Sequence, residues 1–148
     1  MIVEITRKIE FDAGHRIPDH NSKCRNVHGH RYVLEATVRG DVNPVRGQSD
    51  DGMVVDFGDL KGIMLKAVGD VWDHAFLVYE RDTVMLLALS ALGDAHRSVL
   101  LPVIPTVENL ASHAFSCIQD EMPAGAMKLH RVRLWETPNC WCDCTGED

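Results

Sequence analysis

The sequence of 148 residues has no apolar run near the roughly 18 to 20 residues that cross a bilayer, so no membrane partner is expected. It also has no basic block, because 15 Lys and Arg stand against 22 Asp and Glu, a net charge of −7. Nucleic acid is therefore not an expected partner, since phosphate binding needs clustered Lys and Arg. The N-terminus carries Glu4 early and has no apolar signal region. The odd total of five cysteines then indicates reduced thiols in a cytoplasmic protein.

Internal repeats and long linkers are absent too, which predicts a single domain, 1–148, with a Cys-rich C-terminal tail at 139–148. Segments in which apolar residues alternate are typical of strands, and segments in which they recur every three or four residues are typical of helices. The two kinds of segment are grouped separately along the chain, which predicts an α+β fold with an antiparallel sheet. The predicted strands are 3–12, 28–39, 53–55 and 128–136, and the predicted helices are 57–71, 84–92 and a long one that begins after Thr106.

The segment His28-Gly29-His30 carries the most chemical information. Side chains two residues apart on a strand leave the same face, and Gly29 removes bulk from the opposite face. Two imidazoles on one face can share a cation. His15 ends the first predicted strand and lies beside this pair if the two strands are antiparallel, with His20 as the alternative third ligand. Three histidines leave a fourth position open, as in a catalytic zinc site.

Other residues have chemical and structural interpretations that the residues alone leave open. Cys24, between Lys23 and Arg25, is a base or nucleophile, or else a fourth zinc ligand. Asp73 and His74 follow a predicted helix and form an acid–base pair, or else bond to the helix terminus. Cys140, Cys142 and Cys144 alternate in the tail and either bind a soft metal or are inert.

Two acidic residues, Glu136 and Glu108, lie at the ends of predicted elements. Glu136 ends a strand and can accept two N–H donors from a heterocycle edge, or else pair with a neighbouring arginine. Glu108 follows the N-cap Thr106, where an acid favours the helix dipole. Basic residues near the histidines in the sequence form a local basic patch or are solubilising loop charges, and they are Arg16, Lys23, Arg25 and Arg31.

Taken together, these residues resemble the 6-pyruvoyl-tetrahydropterin synthase / 6-carboxytetrahydropterin synthase family. The resemblance covers most of the chain, from Phe11 to about Trp141. Its motifs are Phe11-Asp12-Ala13-Gly14-His15-Arg16, Cys24-x-x-x-His28-Gly29-His30, Gly52-Met53-Val54-Val55-Asp56-Phe57, Asp73-His74-x-x-Leu77, Pro105-Thr106-x-Glu108-Asn109-Leu110 and Glu136-Thr137.

The resemblance implies a tunnelling fold (T-fold), with two long helices on one face of the sheet and a barrel closed by oligomerisation as a homohexamer of two trimers. It implies that zinc is held by His15, His28 and His30, and that the small-molecule substrate is 7,8-dihydroneopterin triphosphate. Cys24 is then the general base, with Asp73 and His74 as a relay that meets it across a subunit interface. Glu136 anchors the pterin, with Thr106 and Glu108 near the same pocket.

The spacing between Cys24 and His28 selects a subtype within the family. Three residues separate them, as in the 6-carboxy-5,6,7,8-tetrahydropterin synthases of queuosine biosynthesis, where members making 6-pyruvoyl-tetrahydropterin usually have five. The resemblance therefore implies a lyase that releases acetaldehyde and triphosphate. The alternatives are 6-pyruvoyl-tetrahydropterin synthase, which eliminates triphosphate, and a non-catalytic zinc-binding protein.

Overall fold

The structure, a computed structural model, describes residues 1–125 and 127–146, and these form a curled sheet with helices packed against it. The strands are β1 (Ile2–His15), β2 (His28–Asp41), β3 (Ala75–Tyr79), β4 (Ser98–Leu101), β5 (Lys128–Thr137) and β6 (Cys140–Thr145). The helices are α1 (Phe57–Met64), α2 (Asp70–Trp72), α3 (Thr83–Ser90) and α4 (Val107–Glu121), with a π-helical segment at Leu65–Gly69 and a 3-10 turn at Lys23–Arg25.

The sheet has the strand order β4-β3-β1-β2-β5-β6. Its central part is antiparallel, because β1 pairs with β2, β2 with β5, and β5 with β6. The other end is parallel, because β3 joins β1 and β4 joins β3 after helical crossovers. The predicted α+β class is confirmed, and the sheet is mixed where the sequence predicted an antiparallel one.

Two long helical stretches cover one face of the sheet, as predicted. The first runs from α1 through the π-helical segment to α2, and it begins where the Asp56 side chain accepts a hydrogen bond from the Gly58 amide. The second is α4, where Thr106 accepts from the Asn109 amide. The fully buried core between sheet and helices includes Phe11, Tyr32, Leu34, Leu60, Trp72, Leu110, Ile118 and Leu134.

Three sequence predictions differ from the structure. Residues 53–55 form no strand and instead approach the α1 N-terminus, while β3 and β4 were not predicted because a short apolar run does not distinguish a buried strand from a helix. The predicted tail is largely β6, an edge strand paired with β5, and its last two residues lie outside the described residues.

No helix in the described ranges is long and apolar enough to cross a membrane.

Candidate active site

The three histidines predicted as metal ligands lie together at one end of the β1–β2 pair. The antiparallel register places His15 directly opposite His28, and Ala13 opposite His30. One ring nitrogen from each imidazole lies within 4.8 Å of the others, and the Nε2 atoms of His15 and His28 are 3.1 Å apart. Gly29 makes this close approach possible, since a Cβ there would lie 2.9 Å from the carbonyl oxygen of Ala13.

Backbone carbonyls determine the tautomers of two of these rings. His15 Nδ1 donates to the Pro105 carbonyl at 2.8 Å, and His28 Nδ1 donates to the Asn26 carbonyl at 2.7 Å. A carbonyl only accepts, so in the neutral rings both Nε2 atoms carry lone pairs that face each other. His30 Nε2 is buried and has no hydrogen-bond partner in the described structure. Such an arrangement of nitrogens is satisfied by a cation between them, and carbonyl bonds to the outer ring nitrogens are typical of metal-binding histidines.

Burial also keeps His15 and His30 neutral, which metal binding requires. His15 is almost completely inaccessible, and burial lowers its pKa to about 4, a shift that the positive potential of protonated His28 and His30 would reinforce and the Pro105 carbonyl opposes. Burial, followed by repulsion from His28, lowers the pKa of His30 as well. The donor set of three imidazoles suits zinc and other first-row divalent ions.

Glu136 lies against this cluster. Its Oε1 is 3.6 Å from the Nε2 atoms of both His15 and His30. Burial raises the pKa of Glu136, while His28 opposes this shift and Glu108 adds to it. The structure therefore brings Glu136, Glu108 and the histidines into one neighbourhood. Thr106 lies beside them in sequence and space, because it follows Pro105, whose carbonyl accepts from His15.

Asp73 and His74 form an acid–imidazole pair at the end of α2. Asp73 Oδ1 is 3.0 Å from His74 Nδ1 and also accepts from the Asp12 amide at 3.1 Å, a bond that lowers the Asp73 pKa. His74 has a left-handed backbone, φ +56°, and its backbone N–H donates a hydrogen bond to the Asp12 carbonyl at 2.7 Å. His74 is largely exposed and lines a cavity of about 610 Å³ together with His28 and His30.

Cys24 stands apart from this pair within one chain. It lies in the 3-10 turn between β1 and β2, where its carbonyl accepts from the Ile17 amide at 2.9 Å. Within residues 1–125 and 127–146, no hydrogen bond joins Cys24 to Asp73 or His74, and its sulfur does not belong to the histidine cluster.

The predicted substrate-binding arginines have different surroundings. Arg16 donates from Nε to Asp82 at 2.7 Å and from Nη2 to the other carboxylate oxygen, and Asp82 also caps α3. The positive charge of Arg16 is therefore neutralised by Asp82 within the same chain. Arg25 is exposed, and its guanidinium contacts only the Asn21 carbonyl at 3.4 Å in the described structure.

The sequence reasoning missed several residues that support the site. Tyr32 is fully buried, and its hydroxyl lies 3.4 Å from His15 Nδ1. Arg97 donates to the carbonyls of Asp70 and Asp73 and so ties the end of α2. Tyr32 follows His30 by two residues on the same strand face, a signal that the sequence did contain. The contacts of Arg97 span at least 24 positions, and no local pattern marks them.

The tail cysteines do not form a metal site in the described structure. Cys140, Cys142 and Cys144 are absent from the groups of three ligand atoms that lie close together there. Cys142 and Cys144 instead pack against the main hydrophobic core, and burial raises the Cys142 pKa.

Comparison with known proteins identifies the family. The profile of the family described as 6-pyruvoyl tetrahydropterin synthase matches residues 4–147. The chain is 34% identical over 144 residues to a Rickettsia felis protein named 6-carboxy-5,6,7,8-tetrahydropterin synthase, covering 96% of this chain and 99% of that protein. A Haemophilus influenzae protein of the same name is 32% identical, with 95% and 96% covered.

A solved structure agrees with the sequence comparisons. The Caenorhabditis elegans 6-pyruvoyl tetrahydropterin synthase superimposes with a TM-score of 0.70 at 27% identity, covering 99% of this chain and 97% of the other. The sequence motifs, the fold and these likenesses agree over nearly the whole length. The chain belongs to the 6-pyruvoyl tetrahydropterin synthase family.

Proposed function

We propose that this protein is a zinc-dependent 6-carboxy-5,6,7,8-tetrahydropterin synthase, a carbon–carbon lyase acting on 7,8-dihydroneopterin triphosphate. The observation that carries the proposal is the convergence of three imidazoles with the Glu136 carboxylate, 3.6 Å from two of their Nε2 atoms. The names of the Rickettsia and Haemophilus relatives and the three-residue spacing between Cys24 and His28 support this subtype. The products are 6-carboxytetrahydropterin, acetaldehyde and triphosphate, formed in 7-deazapurine biosynthesis.

His15, His28 and His30 are the proposed zinc ligands. When bound there, zinc supplies Lewis acidity that polarises the hydroxyl or ketone oxygens of the substrate side chain. The protein contributes neutral imidazoles, because burial disfavours the protonation of His15 and His30, and fixed ring orientations, because Pro105 and Asn26 accept from the outer nitrogens.

Glu136 is the proposed anchor of the pterin ring. A carboxylate accepts two N–H donors from the amidine-like edge of a pterin, and both bonds are charge-assisted. This places the substrate side chain toward the histidines, since Glu136 and the ligand nitrogens are adjacent. Thr106 and Glu108 line the same end of the pocket in this proposal.

Cys24 is the proposed general base, and Asp73 with His74 the proposed relay that moves its proton. We propose that these groups meet between subunits of a homohexamer built from two trimers. The separation of Cys24 from Asp73 and His74 within one chain supports this proposal. The two edge strands of the sheet, β4 and β6, support it as well, because each has one edge without a strand partner in the described chain.

The triphosphate requires cations in a protein whose net charge is −7. Arg25 and Lys23, exposed beside Cys24, are the proposed contacts. Arg16 was predicted for this role too, but its bidentate pairing with Asp82 makes it the weaker member of the set.

The test is incubation of zinc-loaded protein with 7,8-dihydroneopterin triphosphate, followed by identification of the products. We expect acetaldehyde and 6-carboxytetrahydropterin, and Cys24→Ala is expected to lower kcat by at least about a hundredfold, as for loss of a general base. His28→Ala should lose bound zinc, whereas His20→Ala, a matched change in the exposed loop, should retain it. Formation of 6-pyruvoyl-tetrahydropterin without acetaldehyde would instead assign the protein to the activity named for its C. elegans relative.

A further inference from the structure

Glu136 lies at an irregularity in the pairing of the last two strands. Trp135 pairs with Trp141 and Thr137 pairs with Cys140, so Glu136 is an additional residue without a partner on β6. Bulges of this kind turn a side chain away from the regular alternation and are common beside active sites. The bulge residue here is the one whose carboxylate lies 3.6 Å from His15 and His30.

The opposite face of the same hairpin carries four side chains that join β5 to β6. Arg133 donates from Nε and Nη2 to the two carboxylate oxygens of Asp143 at 2.7 and 2.8 Å, and these residues are direct partners in the register. The guanidinium lies 4.9 Å from the ring centroid of Trp141 and 5.6 Å from that of Trp135. The two indole rings are 4.4 Å apart. We call Arg133, Asp143, Trp135 and Trp141 the cross-strand clamp.

The clamp lies beside the bulge at Glu136, where the register of β6 is set against β5, a strand that also pairs with β2 up to Trp135 and Val33. β6 is an edge strand of six residues whose strand pairing is to β5 alone. A slip of one residue in such a strand exchanges the two faces of its side chains. The Trp135–Trp141 pair immediately precedes the bulge, and the Arg133–Asp143 pair lies two residues further from it. A bidentate ion pair and a guanidinium over two indole rings in contact have a defined geometry, so they hold one register in preference to others.

We propose that the cross-strand clamp positions Glu136: Arg133, Asp143, Trp135 and Trp141 act from the far face of the sheet by fixing the bulge that directs the Glu136 carboxylate at the substrate. The inference rests on the proposed function in that it takes Glu136 as the group that binds the pterin. It assigns a role in substrate affinity to a hairpin whose second strand the sequence predicted to be a tail.

The test removes the ion pair with Asp143→Ala in the full-length, zinc-loaded protein. A misdirected carboxylate should raise the KM for 7,8-dihydroneopterin triphosphate, and the Kd for 7,8-dihydroneopterin measured by calorimetry, by about tenfold. The value of kcat should change by less than about twofold, because Cys24, Asp73 and His74 are untouched. Bound zinc should remain at the wild-type stoichiometry. Loss of the register should also weaken the near-ultraviolet circular dichroism of the paired tryptophans and speed amide exchange at 135–137.

Two further variants make the result specific. Asp143→Asn is isosteric, so if Asp143→Ala does not fold it serves in its place, with a smaller rise in KM expected because one neutral amide replaces the carboxylate. Glu4→Ala is the matched control. It breaks another arginine–carboxylate pair between direct cross-strand partners, in which Arg39 donates from Nε and Nη2 to one Glu4 oxygen at 3.0 and 2.7 Å between β1 and β2. The control should leave KM and Kd unchanged.

The outcomes separate this inference from the proposed function. Faster exchange at 135–137 with wild-type pterin affinity in Asp143→Ala overturns the positioning role, and so does unchanged exchange there. If wild type and Glu136→Gln bind 7,8-dihydroneopterin equally, Glu136 is not the pterin anchor and the proposed function loses that assignment. The exchange and dichroism measurements need no substrate, so they test the clamp whatever the protein turns over.

Discussion

At the scale of single residues, the candidate site is built from groups that are held neutral or charged by their surroundings. His15 is buried against Pro105 and Tyr32, and burial lowers its pKa to about 4. A buried neutral imidazole with a free lone pair binds a metal ion without first losing a proton at neutral pH. The same burial of a neutral imidazole destabilises the folded, metal-free protein at acidic pH.

The metal-free protein should therefore lose stability as pH falls from about 6.5 to about 4. In that window the unfolded chain protonates His15 while the folded chain does not, so the proton favours unfolding. The free energy of unfolding should fall by about 2 kcal/mol between pH 7 and pH 5 from this residue. Urea titrations of chelator-treated wild type and His15→Asn check this, and the variant should show the smaller decrease. Equal decreases would contradict the low pKa.

At the scale of elements, the site depends on how closely β1 and β2 approach. Gly29 sits opposite Gly14, and a Cβ at Gly29 would lie 2.9 Å from a backbone oxygen that has no free rotation to escape it. The sequence predicted that Gly29 removes bulk from the face opposite the two histidines, and the structure identifies the Ala13 carbonyl as the group that a side chain there would meet. The same strands show what local patterns miss, because the pairing of β1 with β3 involves residues about sixty positions apart.

Gly29→Ala should lower the free energy of unfolding by about 1 to 3 kcal/mol, because the added Cβ overlaps a backbone carbonyl and forces the two strands to shift. It should also weaken metal binding, because the strands that carry His15 and His28 must separate. Gly62→Ala is the matched control, since nothing lies within 4 Å of a Cβ at that helical position. That change should stabilise the protein by about 0.5 to 1 kcal/mol. Denaturant unfolding and zinc titration of both variants measure the difference.

At the scale of the whole molecule, we propose that the catalytic groups come from more than one chain. Cys24 lies in the loop between β1 and β2, while Asp73 and His74 lie at the end of α2. The edge strands carry exposed apolar side chains, Leu100 on β4 and Trp141 on β6, which suits contact with a neighbouring subunit. A ring of subunits would use both edges of each sheet.

Mixing two inactive variants tests the shared site. Cys24→Ala and His74→Ala should each be nearly inactive, whereas co-refolded mixtures should recover about a quarter of wild-type activity, because random assembly gives that share of interfaces both intact groups. Light scattering of each preparation checks that the oligomers form. Mixtures with no recovered activity would show that the two groups act within one chain.

The sequence by itself determined the strand and helix periods, the histidines on one strand face and the helix N-cap at Thr106, because each depends on residues a few positions apart. Only the tertiary structure determined the position of the bulge at Glu136, the ion pair of Arg16 with Asp82, and the hydrogen bond from His15 to the Pro105 carbonyl, which is 90 positions away. These depend on strand register and on packing between distant segments, which local spacing does not encode.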